Sequence, residues 1–129
     1  GEAEMRGYVP KNPMLGLTAR TAAVWAIGHL HAGKPDVELV KEFVSRMNDI
    51  QGPLPEMTPV RAMSAIALGR MQDKTELETL RKYQTMEGHG SWVGFGCSWA
   101  LRELTGEPIP PTPVRDKVYS DWFLQPLGS

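Results

Sequence analysis

The chain has one cysteine, Cys97, so it forms no internal disulfide, and nothing in it marks an oxidising compartment. It has no excess of either charge: 14 Lys+Arg stand against 15 Asp+Glu, a formal net charge of −1, with no basic or acidic block. That balance argues against a nucleic-acid groove and against docking on an anionic membrane. It also lacks any apolar run near the roughly 18 residues a membrane span needs, and it shows no basic patch followed by an apolar stretch at its start. A soluble chain is expected, with the compartment left open. The remaining composition, 41% hydrophobic and 22% charged over 129 residues, is that of one globular domain able to bury a core. A first residue Gly1 suggests a cleavage scar, and with it a piece of a longer protein.

What the chain has in quantity is punctuation. Gly and Pro cluster at 33–35, 52–55, 88–90 and 106–113, and the intervening stretches show helical apolar spacing with no sustained alternation of period two. Helices are expected over Thr18–His31, Asp36–Met47, Thr58–Met71, Lys74–Met86 and Ser91–Leu104. Thr18, Thr58 and Ser91 are N-cap candidates, Thr75 with Glu78 suits a capping box, Pro59 suits a first helical turn, and Thr105-Gly106 suits a stop. The apolar stripe of the first helix is expected at Ala22, Ala23, Ala26, Ile27 and Leu30. That of the second is expected at Val37, Val40, Val44 and Met47 with Phe43.

These stretches repeat. Residues 20–30 lie over residues 61–71 at a shift of 41 (61 − 20), matching Arg20 to Arg61, Ala26-Ile27 to Ala67-Leu68, and Gly28 to Gly69. A third copy follows at 33 (100 − 67), stacking Trp25, Ile66 and Trp99 in one column and Ala26, Ala67 and Ala100 in the next. The second helices align at 40 (77 − 37), with Val37 over Leu77, Val40 over Leu80 and Phe43 over Tyr83. Helix pairs that cannot bury all of their apolar surface alone must stack on neighbours, and recurring Ala and Gly let them come close.

The recurring Arg-x-x-[Ala/Ser]-x-x-Ala-[Ile/Leu]-Gly-x-[Leu/Met] pattern over about residues 17–105 resembles the HEAT-repeat superfamily, particularly the short HEAT-like repeats of phycobilin lyases. The resemblance implies an all-α, right-handed α-α superhelix, a HEAT-like solenoid whose second helices line a concave face. It spans the chain as one domain, 1–129, with repeats at about 17–50, 57–87 and 91–105 and a tail over 106–129. Two helix pairs are complete and the third is partial: Gly94 stands where Arg is expected and Arg102 where Gly is. The tail holds Pro108, Pro110, Pro111 and Pro113, then Val118 to Leu124, and its Trp122, Phe123, Leu124 and Leu127 suit an aromatic cap over the last repeat or a patch that meets a partner.

No catalytic constellation stands out. His29 and His31, two apart, share no helix face and lack carboxylates at ligand spacing, so exposed helix-end histidines are expected. No His-Glu step of the kind iron-binding HEAT-like hydroxylases use is present, and the basic excess of HEAT-like DNA glycosylases is missing. His89 between two glycines has no partner for acid–base work, Ser91 has no Gly-x-Ser-x-Gly context, and Gly88, Gly90, Gly94 and Gly96 are followed by no Gly-Lys-Ser/Thr. Cys97 fits a small buried column position, and Met47 and Met71 fall on core positions.

The resulting expectation is a non-catalytic protein-interaction or scaffold module with no metal and no cofactor, whose partner is another protein and not nucleic acid or membrane. Lys41, Arg46, Arg81 and Lys82 on the second helices, with Trp122 and Phe123 in the tail, are the candidate partner-binding residues. A homodimer through exposed ends of the stack is the other partner the pattern allows. The rival reading is a lyase-like or chaperone-like domain holding a tetrapyrrole or other small ligand in its concavity, with Trp25 and Trp99 as lining and a polar anchor still to be found.

Overall fold

A computed structural model describes residues 1–12 and 14–110. Among them the chain forms six helices and no strand: α1 Glu2–Arg6, α2 Leu17–Leu30, α3 Val37–Asn48, α4 Thr58–Arg70, α5 Leu77–Glu87 and α6 Trp92–Thr105. The fold is all-α. Candidate residues Trp122 and Phe123, and the tail from Pro111 on, lie outside the described residues.

Local chemistry sets some of the helix ends. The Ser91 hydroxyl accepts from the Gly94 N–H at 2.9 Å to open α6, and the Asp36 carboxylate accepts from the Leu39 N–H at 3.1 Å to open α3. Gly106 closes α6 in the left-handed region at φ 81°, as Thr105-Gly106 suggests. The threonine caps are different. Gly16 and Met57 occupy the N-cap positions of α2 and α4, so Thr18 and Thr58 lie inside the first turns. Thr75 donates to both oxygens of buried Asp73 at 2.9 Å, which takes it out of any capping box, and α5 starts only at Leu77. The short α1 carries no apolar periodicity and is invisible to spacing.

Helix α4 is buried from Val60 through Gly69. It packs against α2, α3 and α6, and a helix covered on several sides has no polar face to display. The amphipathic α3 and α5 bury one side each, Leu39, Val40, Phe43 and Met47 in one and Leu80 and Tyr83 in the other. Val37, expected in that apolar column, is instead 69% exposed, because it is the first residue of α3; Leu39 takes the core place. On α2 the buried face is Arg20, Thr21, Ala23, Val24, Ile27 and Gly28, rotated from the expected stripe but keeping its Ala23 and Ile27. Ala22 is exposed and Leu30 is 56% exposed. The helix turns this way because Arg20 is drawn inward by the partners described below.

Helices α2, α4 and α6 form a row, and the same two columns meet at both joints. A methyl added at Gly28 would lie 3.1 Å from Ala67 Cβ, and one at Gly69 would lie 2.8 Å from Ala100 Cα. The glycine of each helix thus faces the alanine of the next, and the absence of a side chain permits backbone contact that outweighs a helix-propensity loss of about 1 kcal/mol. The amino halves of α4 and α6 also meet: a methyl at Gly96 would come 2.7 Å from the Ala62 carbonyl oxygen. The two helices therefore run in the same direction. Periodicity fixes the spacing of such a row but not which intervening helix pairs with which member. The backbones place α1 against α2, α3 against α4 and α5 against α6.

Gly94, where the pattern has arginine, has a plain cause. A Cβ there would sit 1.7 Å from the Gly88 carbonyl oxygen, so the tight turn into α6 leaves no room for a side chain.

Candidate functional site

The two repeated arginines tie the amino end of the row together. Arg20, 1% exposed, donates from Nε to the Tyr8 carbonyl at 3.0 Å and from Nη2 to the Val9 carbonyl at 3.0 Å. It also grips Glu56 in a fork, Nη1 to Oε1 and Nη2 to Oε2, both at 2.7 Å. Arg61 repeats the theme: Nε donates to the Met47 carbonyl at 3.0 Å and Nη1 to Glu87 Oε1 at 2.9 Å, with its guanidinium 5.1 Å from the Tyr83 ring. Each arginine reaches a carbonyl of the chain before its own helix and a carboxylate that lies just before, or leads into, the next helix of the row. For Glu56 burial pushes the carboxyl pKa upward. The hydrogen bonds from Arg20, the Met57 N–H and Arg46, with the Arg20 charge, outweigh burial and hold it below its ordinary value.

Of the four candidate partner-binding residues on α3 and α5, Arg46 belongs to this network. Its side chain is 11% exposed, Nη1 lies 2.9 Å from Glu56 and 3.6 Å from Asp49, and Nε lies 3.3 Å from Glu42. Lys41 is exposed and 3.9 Å from Glu38, too solvated for that contact to carry energy. Arg81 is exposed and paired with Glu107, its Nη1 donating to Oε2 at 3.1 Å, and the same link draws the start of the tail against α5. Exposed Lys82 lies with Nζ 5.1 Å from the Tyr83 ring centroid. Among the described residues no ion pair or hydrogen bond joins Lys41 to Arg81 or Lys82, and each of the three is exposed.

A second cluster, toward the carboxyl ends of the row, was only half visible in the sequence. Trp25 and His29 stack on successive turns of α2, with ring centroids 4.4 Å apart and planes at 57°. Arg70, the last residue of α4, lays its guanidinium 5.0 Å from the Trp99 ring centroid on α6, and its Cδ would be 3.7 Å from a methyl at Gly28. His29, Arg70 and Glu103 occupy one column of the repeat alignment and follow one another across the three helices.

Arg70 stands apart electrostatically. Arg6, Arg20, Arg46, Arg61, Arg81 and Arg102 each have a carboxylate within ion-pair distance, and among the described residues Arg70 is the one arginine without. Its Nε and Nη2 are sealed from solvent with no acceptor, as are Trp99 Nε1 and His29 Nε2. A sealed donor without a partner costs about 1–3 kcal/mol. Burial lowers the Arg70 pKa, against the opposing charge of Glu103, and an arginine starting so high remains a cation. Burial, aided by the Arg70 charge, lowers the His29 pKa as well, which favours the neutral ring. His29 and His31 are both half-buried and not the exposed helix-end residues expected, and His31 Nε2 lies 3.0 Å from Glu2 Oε1. Trp25 and Trp99 were nominated from sequence; Arg70 was missed, because its only signal is a cation in the last turn of an apolar helix.

Nucleophilic chemistry finds no footing here. Cys97 is buried, and desolvation pushes its thiol up to about 12 in spite of the Arg61 charge, far from the thiolate a nucleophile needs. Ser91 uses its hydroxyl as a cap and donates to the Gly88 carbonyl at 2.9 Å. His89 is exposed in its loop. Among the described residues no group of three or more His, Cys, Asp or Glu side chains could hold a metal ion, and no helix is long and apolar enough to cross a membrane. Comparison with known proteins adds no name to this geometry: no family model matches the chain, and neither does any curated protein or solved structure.

Proposed function

We propose that the chain is a HEAT-like α-solenoid module that binds another protein and carries out no reaction of its own. The observation that supports this reading is the repeated joint of the helix row, Gly28 on Ala67 and Gly69 on Ala100, joined by equivalent arginines. A row built by translation of one contact makes an extended scaffold, and in it α3 and α5 turn charged residues to solvent. Lys41, Arg81 and Lys82 supply the specificity of the docking face, while Arg46 holds that face in place. Affinity capture with the intact protein tests the reading. A stoichiometric protein partner is expected, and its recovery should fall when Lys41→Glu and Lys82→Glu are combined. Capture that is absent, or indifferent to charge reversal, rejects it.

One observation favours the second reading, a tetrapyrrole or other small ligand: Trp99, one of the two tryptophans expected as lining, lies beside a cation, Arg70, that can serve as the polar anchor. A visible absorption band in the purified protein is its expected signature.

A further inference from the structure

We propose that Arg70, lying over Trp99 and close enough to His29 for its charge to act there, is the anchor of a carboxylate-binding subsite at the carboxyl ends of the α2–α4–α6 row. Two independent observations point to a ligand. The guanidinium has no acceptor on any nitrogen although every other described arginine is paired, and its Nη1 is the one nitrogen not sealed off. Trp99, 4% exposed, holds a second donor, Nε1, with no acceptor among the described residues.

The chemistry selects the class of anion. With Nε and Nη2 sealed, the guanidinium offers a single positive charge and one open nitrogen, Nη1, which matches a monoanion. Glu103, whose charge acts on Arg70, and the negative ends of parallel helices oppose any anion, and they oppose a phosphate dianion about twice as strongly as a singly charged carboxylate. Phosphate sites draw on several cations or on helix amino ends, and this cluster has neither. The Trp99 ring beside the cation excludes water and strengthens its pull on an incoming carboxylate. Gly28 lies beside the arrangement, since a methyl there would be in ordinary contact with the Arg70 stem, 3.7 Å from Cδ. The subsite stands whether or not the outer face of α3 and α5 docks a protein.

The test follows the tryptophan indole N–H signals of ¹⁵N-labelled full-length protein, with Trp99 assigned from the Trp99→Phe variant. Benzoate and a blocked peptide with a single glutamate side chain are the carboxylate probes; benzamide and inorganic phosphate are the controls. Saturable movement of the Trp99 signal with a carboxylate probe is expected, none with benzamide, and at least a tenfold weaker apparent Kd in Arg70→Gln. Arg70→Lys, which keeps the charge and loses the planar donors, should fall between the two and guards against a folding defect in Arg70→Gln. Saturation by benzoate assigns a free carboxylate, and saturation by the peptide alone assigns a polypeptide side chain. The proposal is overturned if neither carboxylate saturates, if benzamide moves the signal equally, if phosphate binds more tightly, or if a folded Arg70→Gln titrates like the parent.

Discussion

The two ends of one helix row treat buried arginine in opposite ways. At the amino end Arg20 and Arg61 meet carbonyls and carboxylates at 2.7–3.0 Å, and Arg46 closes the network on Glu56. At the carboxyl end Arg70 lies over Trp99 with no acceptor. Burying a charge is costly unless its partners are in place, so the first arrangement is structural cement and the second is a cost the fold carries. The difference teaches that burial alone does not assign a role to an arginine; the accounting of its donors does.

The sharpest way to break the comparison is Glu56→Gln, which leaves Arg20 buried without its counter-charge. Urea unfolding should show a loss of about 3–5 kcal/mol. The same residue sets a pH window. Because its folded pKa lies below the unfolded value of 4.5, its contribution is fully present above 4.5 and is lost as pH falls through the lowered folded value. Unfolding curves recorded down that range should drop in the parent and lose this component in Glu56→Gln.

Next in size is the joint itself. Gly69→Ala places a methyl 2.8 Å from the Ala100 backbone, and overpacking of this kind costs about 1–3 kcal/mol, more than the ~1 kcal/mol gained in helix propensity. Gly28→Ala meets the Ala67 methyl at 3.1 Å and should be tolerated better. Equal losses in thermal melts of the two variants would contradict the looser contact at Gly28.

Smaller still is Arg70→Met, expected to lie within about 1 kcal/mol of the parent or above it, since an apolar side chain removes the unpaired charge from the Trp99 face. A loss as large as that of Glu56→Gln would erase the distinction between the two ends. In that variant the His29 midpoint, followed by NMR titration, should rise from its lowered position and stay below 6.5, because burial, the larger cause, remains after the Arg70 charge has gone.

The columns that carry the fold were legible because they rest on short-range rules. Ala26, Ala67 and Ala100 align by spacing, Ser91 precedes its helix as a cap should, and Thr105-Gly106 stops one. Arg20 and Arg61 were visible as equivalent positions, but not that they turn inward, since Glu56 lies 36 residues beyond Arg20 and Glu87 lies 26 beyond Arg61. The α2 face was legible in part: of the expected Ala22, Ala23, Ala26, Ile27 and Leu30, Ala23 and Ile27 are buried and Ala26 is half-buried, while the inward Arg20 leaves Ala22 and Leu30 in solvent. Arg46 looked like a surface cation because its helix is amphipathic; Glu42 and Asp49 are its local neighbours, and Glu56, gripped by Arg20 of α2, is the partner that took it out of solvent.

Sequence by itself determined that this chain is helical, that three of its helices share an Ala column and two of them a Gly column, and that no nucleophile or metal cluster is written into neighbouring positions. These follow from periodicity, capping and composition, all of which act over a few residues. Tertiary structure decided which helices pair, which face of α2 is buried, and that Arg20 is held by Glu56 while Arg70 is left beside Trp99. Those outcomes depend on charges and rings that meet across dozens of residues, where the energy of a contact is set by what else surrounds it.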